Sequence, residues 1–376
     1  MVFVLFASSI AATPNASLPL PPSQDPFYTA PAAFEAARPG DILRLRIAPG
    51  NLTTLLPNSS TAYNILFRTT NNLYKPSWAV TTLFIPRTSN GASTSLLSYQ
   101  IPYNTANPSA SPSYLFSSGP SALPPLTFSD ISTALGYGWY VNVPESEGQL
   151  AAYAAGVQAG HATIDSIRAV QTLIRPPDAT IALWGYSGGS FASAFATEMA
   201  QQYAPELNLS GIALGGLLAN LTETALIPGL IQPPGVLGLT AEYPEAREYI
   251  LDQLHDTEPY NKSTFLAALH NSPQQDTDLY RNQSIWPYFR DGQGILQNRM
   301  LQRIVHSETI LGYHGTPQMP LFIYKAVHDE ATPMASTDAL VDRWCGVGVE
   351  VLYQRNVVGG HRDEARSGDG HALRVA

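Results

Sequence analysis

Cysteine is nearly missing from this chain. A single residue, Cys345, stands among 376, so no internal disulfide can form. Stability must then come from a packed core, and 44% apolar content is ample for one. Charge is scarce as well, at 13% of residues against the usual quarter or so. Twenty Lys and Arg oppose 29 Asp and Glu, a formal charge of -9. That balance argues against a nucleic-acid partner. No H-E-x-x-H pair and no Cys cluster is present, so neither a metal nor an organic cofactor is expected. Past the N-terminus no apolar run is long enough to cross a bilayer.

What is present at the N-terminus points to export. Val2 to Ala12 is apolar and offers small residues at Ser9, Ala11 and Ala12 for cleavage, so residues 1–12 are expected to be a signal peptide. No Lys or Arg precedes Arg38, which suggests a clipped leader. Asn15, Asn51, Asn58, Asn208, Asn220, Asn261 and Asn282 each begin N-x-S/T and are glycosylation candidates. The expected product is a secreted, soluble monomer.

Apolar runs then alternate with helical patterns. Strands are expected at 79–85, 96–101, 138–143, 180–184, 211–214, 320–327 and 349–354, with helices at 151–174 and 191–203. Strands alternating with helices predict a mainly parallel sheet. From 217 to 318 the rhythm stops. Helical patterns and Pro-rich turns continue there, but no strand is legible, so the stretch is expected to be an inserted helical cap. Residues 13–216 and 319–376 would form the core.

The sharpest motif is Gly185-Tyr186-Ser187-Gly188-Gly189. An apolar strand ends at Trp184 and a helix opens near Phe191. This strand–turn–helix context makes G-x-S-x-G a nucleophile elbow, which predicts an α/β-hydrolase fold with Ser187 as nucleophile. At the helix N-terminus the N–H of Gly188 can receive a developing oxyanion.

Such a fold places an acid and then a histidine later in the chain. Asp329 follows the strand at 320–327 and is the expected acid, with Glu330 as its rival. His361 follows the last strand after two glycines and is the expected base, with His371 as its rival. The second oxyanion donor is expected after the strand at 96–101, from Asn104 or Thr105. Hydrolysis of a carboxylic ester through an acyl-serine is the reading that results.

Several segments together resemble the fungal secretory lipases. They are Ser98-Tyr99-Gln100, Pro112-Ser113-Tyr114, Glu145-Ser146-Glu147-Gly148, Ile164-Asp165-Ser166-Ile167-Arg168-Ala169, the elbow, Tyr203-Ala204-Pro205-Glu206-Leu207, Asp329-Glu330…Pro333 and Gly359-Gly360-His361. The resemblance implies Ser187, Asp329 and His361 as a triad, a helical lid within the insertion, and hydrolysis of triacylglycerols, possible partners being a lipid or ester substrate at an oil–water interface. Three departures stand out. Ser111 replaces the family's Cys before Pro-Ser-Tyr. Asn104 or Thr105 stands where an acidic residue is usual. Residues 362–376 read as polar and Gly-containing, not as the packed terminal helix of the family. A short-chain esterase or acyltransferase, a peptidase, and a catalytically impaired binding protein remain as alternatives.

Overall fold

The structure, a computed structural model, describes residues 19–88, 94–174, 179–225, 227–229 and 233–375. The leader at 1–12, the sequon at Asn15, and Leu226, Leu230 and Ile231 of the insertion lie outside the described residues.

Nine strands form one sheet in the order β1-β2-β3-β5-β4-β6-β7-β8-β9. They are β1 (Ile42–Ile47), β2 (Ser59–Thr70), β3 (Pro76–Pro86), β4 (Ser95–Gln100), β5 (Tyr140–Pro144), β6 (Thr180–Tyr186), β7 (Leu209–Gly215), β8 (Leu321–Ala326) and β9 (Val351–Asn356). The first three strands and β5 pair antiparallel; from β5 across to β9 every pairing is parallel. The parallel strands inside the sheet, β4 to β8, are buried on both faces and so are rich in apolar residues, whereas β9 at the edge is only partly buried.

Alternation along β6 shows the layering. Ile181 and Leu183 pack into one cluster with the helices Gly156–Gln171, Gly188–Tyr203 and Met334–Gly346. Ala182 and Trp184 pack on the opposite face with Ile131 and Leu135 of the helix Thr127–Gly136, and with Ala372 and Leu373. Helices thus cover both faces, the arrangement of an α/β-hydrolase. Each buried Leu or Ile contributes roughly 1.5–3 kcal/mol to this core.

β1 and β2 are strands that the apolar pattern does not announce. β1 is the sheet edge and keeps Leu45 and Ile47 exposed between arginines, while β2 buries Asn64, Thr69 and Thr70 among apolar residues. The long helix begins at Gly156, not Ala151. Ala151 and Ala154 have positive φ (48° and 69°), so the chain turns there before it winds.

The expectation of a polar, unpacked C-terminus is overturned. Residues His361–Val375 form a helix that lies against β7 and β8. Ala372 and Leu373 are buried, and the fully buried Glu364 accepts two hydrogen bonds from Asn356 Nδ2, at 2.6 and 2.7 Å. A Cβ at Gly368 would stand 2.2 Å from the Tyr324 ring. The small and polar residues permit close approach to the sheet, so a hydropathy reading misses the helix.

Between β7 and β8 the described residues of 217–318 contain helices, 3-10 turns and two isolated bridges, but no strand. They build their own core around Leu237, Ile250, Phe265, Tyr280, Phe289 and Leu301, joined by Ala106 from the loop after β4.

Candidate active site

Ser187 occupies the turn between β6 and the helix Gly188–Tyr203, with φ 53° and ψ −120°. Such a backbone costs on the order of 1–3 kcal/mol for a residue with a side chain. Its neighbours explain the motif. A Cβ at Gly185 would lie 2.2 Å from the Gly189 backbone, and a Cβ at Gly189 would lie 1.9 Å from the Gln100 carbonyl. Only glycine allows strand, turn and helix to approach this closely. Ser187 N–H donates to the Gly215 carbonyl at 2.9 Å, fixing the turn to β7.

His361 opens the C-terminal helix, and its ring joins two other expected residues. Nε2 lies 2.8 Å from Ser187 Oγ, and Nδ1 lies 2.8 Å from Asp329 Oδ2. Asp329 follows β8, with its side chain fully buried. Its Oδ1 accepts the N–H groups of Ala331 and Thr332 at 2.9 and 2.8 Å. Burial works against its charge, but the His361 hydrogen bond, the nearby cations and the Thr332 amide outweigh it and hold the carboxyl below its ordinary value.

The rival residues have other places. Glu330 accepts the backbone N–H of His361 at 2.7 Å and so anchors the start of the C-terminal helix. Gly360 fits beneath it, since a Cβ there would stand 2.2 Å from Glu330 Oε2. Tyr186 OH donates to the His361 carbonyl. His328 is exposed, and the side chain of His371 lies outside the described part. His161 is fully buried in its helix, between the rings of Tyr74 and Tyr203.

Asn104 has φ 45°, and its Oδ1 would lie 2.3 Å from a Cβ at Gly188. The Asn104 side chain and the first turn of the elbow helix are thus adjacent. The opening amides of any helix lack an intrahelical acceptor, which leaves the Gly188 N–H available at this spot. Thr105 is placed differently. It is fully buried, and its N–H donates to Glu147 Oε2 at 3.4 Å. Burial pushes the Glu147 carboxyl well above its ordinary value, opposed by backbone hydrogen bonds from Thr105 and Asn104.

A narrow cavity reaches the first residue of the elbow helix and is lined by Asn104, Gly188, Glu147 and Tyr153. A larger apolar cavity is lined by Val236, Leu239, Ile250, Trp286, Ile295 and Leu301 of the insertion. Ala154 and Leu221 line both, so the two meet.

Two residues here escape a sequence reading. Lys325 on β8 is fully buried, 3.6 Å from Asp329 Oδ2; a lone Lys inside the apolar run Leu321–Ala326 is its one signal. Glu147 has a signal only in hindsight, as a second acid beside Glu145. Among the sequons, Asn51, Asn58, Asn208 and Asn282 are exposed. Asn220 is half-buried and caps a helix with Oδ1. Asn261 is buried, and its amide is bonded to Glu258 and Thr264, which leaves no room for a glycan. Asn is a favoured helix N-cap, so a sequon can mark a cap.

Known proteins resemble this chain in sequence and in fold. The secretory lipase family model matches residues 126–375. A trichothecene C-3 esterase of Fusarium sporotrichioides is 45% identical, over 95% of this chain and 83% of its own. Lipase A of Arthroderma benhamiae is 34% identical, over 94% of this chain and 79% of its own. The crystal structure of Candida antarctica lipase A in its closed state superposes with a TM-score of 0.87 at 26% identity, covering 95% of this chain and 86% of that one. Sheet, elbow and relatives converge: this chain belongs to the secretory lipase family.

Proposed function

We propose that the chain is a secreted serine ester hydrolase that cleaves acylglycerols through an acyl-Ser187 intermediate. The carrying observation is the Ser187–His361–Asp329 chain of 2.8 Å contacts at the elbow. His361 Nε2 takes the Ser187 proton as Oγ attacks the ester carbonyl. The Gly188 N–H and the Asn104 side chain receive the oxyanion. The imidazolium then protonates the departing alcohol, and water, deprotonated by the same ring, releases the acid. Asp329 holds the ring and stabilises its charged form.

The apolar cavity supports a long acyl chain. Its lining comes largely from the insertion, so residues 217–318 serve as cap and lid in this reading. The described residues include no helix long and apolar enough to cross a membrane, consistent with an exported enzyme that meets its substrate at an interface.

A second reading is favoured by one observation, the 45% identity to a protein named a trichothecene C-3 esterase. There the cavity would hold a bulky alcohol and the acyl group would be small. Hydrolysis of p-nitrophenyl esters of rising chain length separates the two. The lipase reading expects kcat/KM to rise with acyl length and rate to increase on emulsions. A maximum at acetate, with no response to emulsions, would replace it with the second reading. Ser187→Ala should abolish turnover under either.

A further inference from the structure

We propose that Lys325 is a positioning residue for the acid of the site: its ammonium, buried beneath Asp329, balances the carboxylate that His361 leans on and ties it to the root of the insertion. This rests on the triad reading above and extends it.

The placement carries the argument. Lys325 lies on β8 four residues before Asp329, and both side chains are fully buried. Asp329 Oδ2 stands between the His361 imidazole, with Nδ1 at 2.8 Å, and the Lys325 ammonium, with Nζ at 3.6 Å. Nζ also donates to the Leu217 carbonyl at 2.9 Å and to Thr332 Oγ1. Leu217 is the first residue of the insertion, and the hydroxyl of Thr337 also donates to its carbonyl, at 3.2 Å. Thr332 is the residue whose N–H holds Asp329 Oδ1. One ammonium therefore joins the acid, the acid's loop and the segment that starts the cap.

A buried lysine without a counter-ion is costly, so its partner matters. Three carboxylates act on it: Asp329, Asp338 from the helix Met334–Gly346, and Glu223 from the turn at Leu221–Thr224. Asp338 is engaged by Tyr353 and Arg355, and Glu223 by Asn220. The other carboxylate at the site, Glu330, is bonded to the His361 backbone. Asp329 is the acid within ion-pair distance. Burial lowers the Lys325 pKa to about 8, with Asp329 the chief opposing influence.

The consequence is electrostatic. With the ammonium present, the negative charge facing the imidazole is partly offset. Without it, the carboxylate stabilises the imidazolium more strongly. In Lys325→Met the acid limb of the kcat/KM profile should move up by about one pH unit. Lys325→Gln, neutral but able to bond Leu217 and Thr332, should show the same shift. If Gln restores the wild-type profile, or if activity falls equally at all pH values, Lys325 is structural only and the proposal fails.

A second route needs no Lys325 variant to fold. In Asp329→Asn the buried ammonium loses its partner and gives up its proton at lower pH, so the variant should gain stability relative to wild type as pH rises from about 6 to about 8, the wild-type Lys325 value. A melting-temperature difference that stays constant across that range overturns the charge pairing. Failure of either test leaves the triad untouched, because Ser187→Ala tests that reading separately.

Discussion

At Ser187 the backbone is left-handed, with φ 53°, and the side chain is held 2.8 Å from a histidine. In the proposed mechanism local strain and reactivity coincide, because the turn that lifts the hydroxyl also opens the helix whose first amides would face the oxyanion. Asn104 is the test of that second role. Asn104→Ala should lower kcat by roughly 100- to 1,000-fold with a much smaller change in KM, the loss typical of one oxyanion donor. A change confined to KM would place Asn104 in ground-state binding instead. Thr105→Val should spare kcat, since the hydroxyl it removes is engaged by the Asn107 N–H and the retained Thr105 N–H is turned to Glu147. Gly189→Ala tests the elbow itself. A Cβ 1.9 Å from the Gln100 carbonyl leaves no room, so that variant should unfold at markedly lower temperature, read by thermal melting.

The inner parallel strands were legible as apolar runs because they are buried on both faces. The elbow was legible because three glycines must flank or follow one serine for steric reasons that any sequence shows. β1 and β2 were not, since an edge strand with alternating arginines and a strand burying Asn64 carry no apolar run. The terminal helix escaped for the opposite reason. Its contact with the sheet uses Gly368 and Glu364, residues that a hydropathy reading assigns to solvent. The insertion is fastened by its last long helix, Arg299–Thr309. There Glu308 is buried, accepting the Val157 N–H at 3.0 Å and the Tyr243 hydroxyl at 2.7 Å. Glu308→Leu strands both donors and should cost about 2–6 kcal/mol, at 1–3 kcal/mol for each unmet group. Glu308→Gln keeps an acceptor and should melt closer to wild type. Equal melting temperatures for the two variants would deny the fastening.

At the scale of the whole molecule, buried acids outnumber buried bases among the described residues. Burial raises Glu145, Glu198 and Glu308 to about 7 from an ordinary 4.5. It raises Asp130, Asp165 and Asp276 to about 6 from 3.8. The folded chain therefore holds more protons than the unfolded one between those values. Stability from these groups is complete below the unfolded values and is lost as pH rises through about 6 and then 7. The melting temperature should fall between about pH 5 and pH 8. A rise over that range would mean that these carboxyls are ionised in the native state.

The central claim is that one hydroxyl, activated by one imidazole, does the chemistry. A fluorophosphonate probe followed by peptide mass mapping tests it most directly. The account predicts a single adduct on the peptide that carries Ser187, no adduct in Ser187→Ala, and strongly slowed labelling in His361→Ala. An adduct on another residue, or ester hydrolysis that persists in Ser187→Ala, would contradict it.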